Sequence, residues 1–186
     1  MKNNNEMKQL FKFGLILASI CFAASLVLAM TYEATKPVID SRAKEDEAKA
    51  LSGSVMPEAD DFREKAVDGI EYYEAYKNKR LIGYCVKAVG SGYSGYFHII
   101  VGVDRSGVIK GVEVLDHQET PGLGAKIVEV KEGEKEAWFL RQFRGKDAKS
   151  IALKDIDAIT GATISSKAVV DAVNRSIKGF LEKIER

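Results

Sequence analysis

The chain has 186 residues and a formal charge of +1, from 28 Lys and Arg against 27 Asp and Glu, with 46% hydrophobic and 30% charged residues. That size holds one ordinary domain, or a domain with an anchor, and excludes a large multidomain enzyme. The composition is too apolar for disorder, too acidic for a dedicated nucleic-acid binder and, with two cysteines, too poor in Cys for a disulfide scaffold.

The first element is a run of 18 residues without a charge, Phe13 to Met30. About 17–25 residues of helix cross a hydrocarbon core, whereas the apolar region of a cleaved signal peptide is about 7–15 residues. The run therefore predicts a retained single transmembrane helix over residues 13–30, preceded by a tip over residues 1–12. Lys2, Lys8 and Lys12 precede the span, against Glu6 alone. The positive-inside rule then leaves the N-terminus in the cytoplasm and the C-terminal domain on the extracytoplasmic side. Cys21 lies within the span and Cys85 beyond it, so an intrachain disulfide is not expected. His98 and His117 are too few for a zinc site, and no metal is expected.

Residues 31–68 read as a juxtamembrane helix and linker. PVIDSRAKEDEAKAL, from Pro37 to Leu51, is a polar helix resumed after a short break, and SGSVMPEADD is the linker, with Gly53 and Pro57 as breakers. A β-rich block follows. EYYEAYK and LIGYCVKAV flank Asn78, Lys79 and Arg80 as a hairpin. FHIIVGV puts Phe97, Ile99, Val101 and Val103 on one face by period-2 alternation, and DRSG turns into VIKGVEVL. The expectation is an antiparallel meander with one packed face. Beyond the loop DHQETPGLG lies a mostly helical stretch with Trp138, Phe139 and Phe143, all assigned to the core. The last element is an amphipathic helix from Ser165, with Val169, Val173, Ile177, Leu181 and Ile184 along one stripe. The fold class is α+β, a transmembrane helix followed by an antiparallel sheet packed by helices.

The segment Asp157-Ala158-Ile159-Thr160-Gly161-Ala162-Thr163-Ile164-Ser165-Ser166 sits at the entrance to that helix. A helix start leaves backbone N–H groups unpaired and carries the positive end of the helix dipole, so it attracts phosphate. Hydroxyls with one glycine at this place also fit an ordinary capped turn.

TGATIS, with Asp157 ahead of it, resembles the flavinylation motif of the covalent FMN-binding domain family. ETPGLG (Glu119 to Gly124), GSGYSGY (Gly90 to Tyr96) and QFRGK (Gln142 to Lys146) resemble further segments of that family, in the same order. The likeness spans residues 69–186. It implies FMN joined by a phosphoester bond to Thr163, with a dedicated flavin transferase making the bond from FAD. Gly161 and Ala162 then shape the turn, and Ile164 and Ser165 complete the motif. Thr160 stands where Ser is more common. The likeness further implies that Glu119, Thr120 and Leu123 belong to a loop lying against the flavin, with Gly122 and Gly124 permitting close approach of the backbone to the ring. Glu119 is expected to orient that loop, where a carboxylate disfavours negative charge on a neighbouring flavin. Tyr93 is open to two readings, stacking on the ring or packing in the core. Cys85 and His98 are read as structural.

The whole-chain layout, one span followed by one such domain, resembles two related families of membrane-complex subunits. One belongs to the ion-translocating ferredoxin:NAD oxidoreductase (Rnf) complex. The other belongs to the sodium-translocating NADH:quinone oxidoreductase, and its members are generally longer. The compact length favours the first. Both imply an electron carrier working with other membrane and redox subunits rather than a complete enzyme. A membrane-tethered binding module without redox chemistry is the alternative from another class.

Overall fold

The computed structural model describes residues 3–134 and 136–184. The chain divides into two units, Met1–Lys44 and Glu45–Arg186. Helix α1, Asn3–Ala50, supplies nearly all of the first. Its most apolar stretch of 18 residues has a mean hydropathy of 2.4, with none of it buried by the rest of the chain. At 1.5 Å per residue such a stretch covers about 27 Å, close to the thickness of a hydrocarbon core. The Thr31 and Thr35 hydroxyls donate back to the carbonyls of Val27 and Thr31, satisfying themselves without a partner chain.

The break expected between the span and the polar helix is absent, because α1 runs through Pro37 uninterrupted. Proline removes one donor from the ladder, but the Ala, Glu, Lys and Arg residues that follow are strong helix formers and carry the helix on.

The second unit is built on a five-stranded antiparallel meander in the order β1-β2-β3-β4-β5. The strands are β1 (Asp61–Val67), β2 (Ile70–Lys77), β3 (Arg80–Ser91), β4 (Tyr96–Asp104) and β5 (Ile109–His117). Asn78 and Lys79 both have positive φ, at 49° and 64°, and make a two-residue turn between β2 and β3. Strand β1 lies upstream of Gly69, where the family likeness begins. Its sequence DFREKAV has no apolar alternation to announce it, and its charges suit an exposed edge.

Phe97, Ile99, Val101 and Val103 share one buried face, as their alternation predicts. Helix α3, Thr163–Ile184, covers that face with Val169, Val173, Ile177, Phe180 and Leu181. Tyr72 and Tyr84 close around Phe180 at centroid distances of 4.8 and 5.2 Å. Among the described residues, the stretch expected to be mostly helical holds one short α-helix, α2 (Trp138–Arg141), and the short 3-10 segments Gly124–Val128 and Leu153–Asp155. Gly133 and Gly145 there have positive φ and interrupt helix formation. Phe139 and Phe143 are nonetheless fully buried, and Trp138 packs at the core margin.

The expectation of a single packed face is also corrected. Ala75, Cys85 and Ile100 point to the opposite face and form a second cluster with Ala50, Leu51, Val55 and Met56. The stretch read as linker thus contributes two fully buried side chains, Val55 and Met56. Burial pushes the Cys85 thiol up to about 12, which makes it inert at neutral pH. Gly102 and Gly111 are cross-strand partners on this face. A Cβ on Gly102 would stand 2.6 Å from the Val55 carbonyl oxygen, and one on Gly111 would stand 2.8 Å from the Val55 Cα. The two glycines form a floor on which the chain at Val55 lies flat.

Gly111→Ala is therefore expected to destabilise the domain by about 1–3 kcal/mol through overpacking against backbone. Urea unfolding of the full chain in detergent checks this, with Gly53→Ala, whose Cβ meets nothing within 4 Å, as the neutral comparison.

Candidate functional site

The approach to α3 is shaped by three local devices. Gly161, with φ of 80°, turns the chain so that the Ala162 N–H donates to the Ile159 carbonyl at 2.9 Å. A side chain at this φ is strained, so glycine is the residue that makes the turn. Ser166 is fully buried. Its hydroxyl accepts from the Ile159 N–H and donates to the Ala162 carbonyl, both at 3.0 Å. Gln142 grips the chain further upstream, accepting from the Asp157 N–H at 2.8 Å and donating to the Asp157 carbonyl at 3.2 Å.

The result is a helix start held from inside and open outside. Among the described residues, the N–H groups of Thr163, Ile164 and Ser165 have no intrachain acceptor, whereas that of Ser166 is bonded to the Ala162 carbonyl. Thr163 is exposed, and the first turn also exposes Ile164 at 57%. Unpaired donors, the dipole and a free hydroxyl converge there.

Opposite lies a clamp centred on Glu119, which is only 6% exposed. Its Oε1 accepts from the backbone N–H groups of Tyr93 at 2.8 Å and Ser94 at 3.3 Å. Its Oε2 accepts from the Ser165 hydroxyl at 2.8 Å. The hydroxyls of Ser94 and Thr120 meet at 3.1 Å beside it. The carboxylate therefore ties the β3–β4 loop, the loop after β5 and the start of α3 to one point.

Between these parts is a cleft of about 470 Å³, lined by Tyr93, Glu119, Thr120, Leu123, Gly124, Gly161, Ala162, Thr163, Ile164 and Ser165. Apart from Gly122, every residue singled out from the sequence for the cofactor is in that set. Ala162 and Ser165 are buried beneath the turn, while Thr120, Gly161 and Thr163 face outward. Tyr93 is 74% exposed, which rules out its core reading and leaves its ring on the rim with Leu123, 49% exposed.

The two glycines of the ETPGLG loop differ from the expectation that both admit the ring. Gly122 lies outside the lining set and serves a turn, with φ of 78°. Gly124 lines the cleft but makes room for a side chain: a Cβ there would overlap the Glu119 carboxylate and stand 2.7 Å from the Ser165 hydroxyl. Other residues went unrecognised in the sequence. A Cβ on Gly92 would overlap the same carboxylate. Ser166 and Gln142 lie within segments the sequence marked, but their roles rest on hydrogen bonds, to the local backbone of Ile159 and Ala162 and to Asp157 fifteen residues on, that the sequence does not display.

The donor set fits a flavin mononucleotide. Phosphate suits the unpaired N–H groups, and the exposed side chains of Tyr93, Leu123 and Ile164 offer apolar surface to a planar ring. The volume lies within the range of about 300–1,000 Å³ usual for ligand sites. In agreement, residues 92–178 match the FMN-binding domain family, which defines the class of the second unit.

The whole chain narrows this. It is 34% identical over 202 residues, covering 94% of this chain and 93% of the relative, to the G subunit of the Na(+)-translocating ferredoxin:NAD(+) oxidoreductase complex of Acetobacterium woodii. It is 30% identical over 185 residues, covering 96% and 95%, to the G subunit of the proton-translocating ferredoxin:NAD(+) oxidoreductase complex of Clostridium ljungdahlii. A solved structure, the C subunit of the Na(+)-translocating NADH-quinone reductase from Parabacteroides distasonis, superposes with a TM-score of 0.48 at 26% identity, covering 63% of each chain. The chain belongs to the G-subunit family of ion-translocating ferredoxin:NAD oxidoreductase complexes, the first of the two families its layout resembles.

Ser166→Ala leaves the Ile159 N–H buried without its acceptor, which is expected to cost about 1–3 kcal/mol. Hydrogen exchange of the Ile159 amide in the full chain checks it, with faster exchange expected in the variant.

Proposed function

We propose that this chain is a membrane-anchored electron-transfer subunit that carries FMN in phosphoester linkage to Thr163. It works inside a complex that couples electron transfer between ferredoxin and NAD to ion translocation, so the assembled complex is a translocase. The observation that carries the attachment site is the exposed Thr163 at a helix start whose first three N–H groups lack intrachain acceptors among the described residues. A phosphoryl group on the Thr163 hydroxyl lies within the field of those donors. None of the cleft-lining residues is basic, so a dissociable phosphate would have backbone dipoles as its support within the lining. A covalent bond removes the need for a cationic clamp and prevents loss of the cofactor where free flavin is dilute.

FMN supplies one- and two-electron redox chemistry when bound, while the protein supplies position and electrostatics. Gly161 and Ser166 set the direction of the first turn, and Gln142 holds the chain leading into it. Tyr93, Leu123 and Ile164 present apolar surface at the cleft mouth, where a flavin stays reachable by redox partners. The span from Phe13 to Met30 is uncharged and offers no ion ligands, so translocation belongs to other subunits.

In this reading residues 13–30 anchor the chain. The basic tip keeps the N-terminus in the cytoplasm and places residues 69–186 on the extracytoplasmic side. A flavin transferase is the partner needed for maturation.

Coexpression of the full chain with such a transferase is expected to give a band that fluoresces like flavin on a denaturing gel. Thr163→Ala is expected to keep membrane association and lose the fluorescence, while Thr160→Ala retains it. A fluorescent Thr163→Ala band would overturn the attachment site.

A further inference from the structure

Glu119 is the one charged side chain among the described residues that line the cleft. Every donor to its carboxylate is neutral, two backbone N–H groups and the Ser165 hydroxyl. None of the ion pairs among the described residues includes it. Both oxygens act as acceptors, as a carboxylate's do. Hydrogen bonds stabilise that charge without cancelling it.

The position of the carboxylate is also built. Gly92 on one segment and Gly124 on another leave the space it occupies, since a Cβ at either would overlap it. Three donors, two N–H groups from the loop that holds Gly92 and the Ser165 hydroxyl of α3, then fix its orientation. A fixed charge in a water-poor wall acts on its surroundings far more strongly than the same charge in water. An electron added to a flavin in this cleft without a proton places a second negative charge in the same poorly screened space. A nearby carboxylate opposes that addition.

We propose that Glu119 sets the reduction potential of FMN held in this cleft, keeping it lower than a neutral side chain would and favouring entry of a proton with the electron. The inference rests on the reading that FMN occupies the cleft. It assigns Glu119 a role beyond holding loops together, as a fixed charge that tunes the cofactor. The clamp and the charge are properties of one carboxylate, and substitution can separate them.

Glu119→Gln does so. The amide oxygen still accepts from the Tyr93 and Ser94 N–H groups, and the amide nitrogen donates to the Ser165 oxygen, whose hydroxyl can rotate. The scaffold is kept while the charge goes. The measurement is a spectroelectrochemical titration of the full-length, flavin-loaded chain in detergent, with flavin content read from absorbance after denaturation. The expected result is unchanged flavin content and an upward shift of the midpoint potential in Glu119→Gln. Asp116→Asn is the charge control, because it removes an exposed acid that pairs with His98 away from the cleft lining. Its midpoint is expected to match the wild type.

An unshifted or lowered midpoint in loaded Glu119→Gln would overturn the proposal. So would loss of flavin from that variant with the fold retained, because the carboxylate would then be a requirement for loading. An equal shift in Asp116→Asn would overturn it too, by showing an effect of net charge alone. A wild-type chain without flavin after coexpression would strike the underlying reading and this inference together.

Discussion

The carboxylate of Glu119 draws its donors from two segments remote in sequence, Tyr93 and Ser94 in the β3–β4 loop and Ser165 in the first turn of α3. An unpaired ion in a protein interior is costly unless its lone pairs are filled, so the burial of Glu119 requires all of these donors to be in place together. That requirement links two loops and a helix that the meander alone would leave independent. The cleft is the space left once they converge, and the residues of the TGATIS and ETPGLG segments meet there for this reason. Glycines at positions 92 and 124 belong to the same constraint, because each leaves room for the carboxylate.

The rest of the domain supplies a rigid frame for that convergence. Strand β4, whose register with β3 runs from Gly83↔Asp104 to Ser91↔Tyr96, fixes where the β3–β4 loop emerges. Strand β5 ends at His117, which delivers Glu119 two residues later, and the Glu119 N–H donates to the His117 ring at 3.3 Å. Helix α3 is seated on one face of the sheet by its apolar stripe, with Asn174 donating to the carbonyls of Lys149 and Ile151 at 2.9 and 3.4 Å. Sheet ends and helix start are thus set by core packing, and polar contacts at the cleft add only the final alignment. Covering the second face of the sheet with Val55 and Met56 stiffens the frame further.

Much of this was legible in the residues because it follows short periods. Alternation in FHIIVGV marked the buried strand, the spacing of Val169, Val173 and Ile177 marked α3, and the uncharged run marked a helix long and apolar enough to cross a membrane. The motif segments singled out the residues that line the cleft, although Tyr93 could not be assigned to rim or core without its exposure. What escaped notice obeys no short period. Strand β1 carries charges along an edge, and the polar helix and span join through Pro37 because the residues beyond it favour helix. The second core depends on glycines far from Val55 in sequence, and the Gln142 grip on Asp157 joins residues from different loops. Such contacts are set by the folded arrangement rather than by neighbours along the chain.

Covalent FMN on Thr163 is the central claim, and peptide mass mapping of the wild-type protein extracted from its native membrane tests it most directly. The account predicts that the peptide containing Thr163 carries the added mass of one FMN joined with loss of water, with fragment ions placing it on that residue. An unmodified Thr163 peptide from protein that retains its flavin, or the same added mass on another residue, would contradict it.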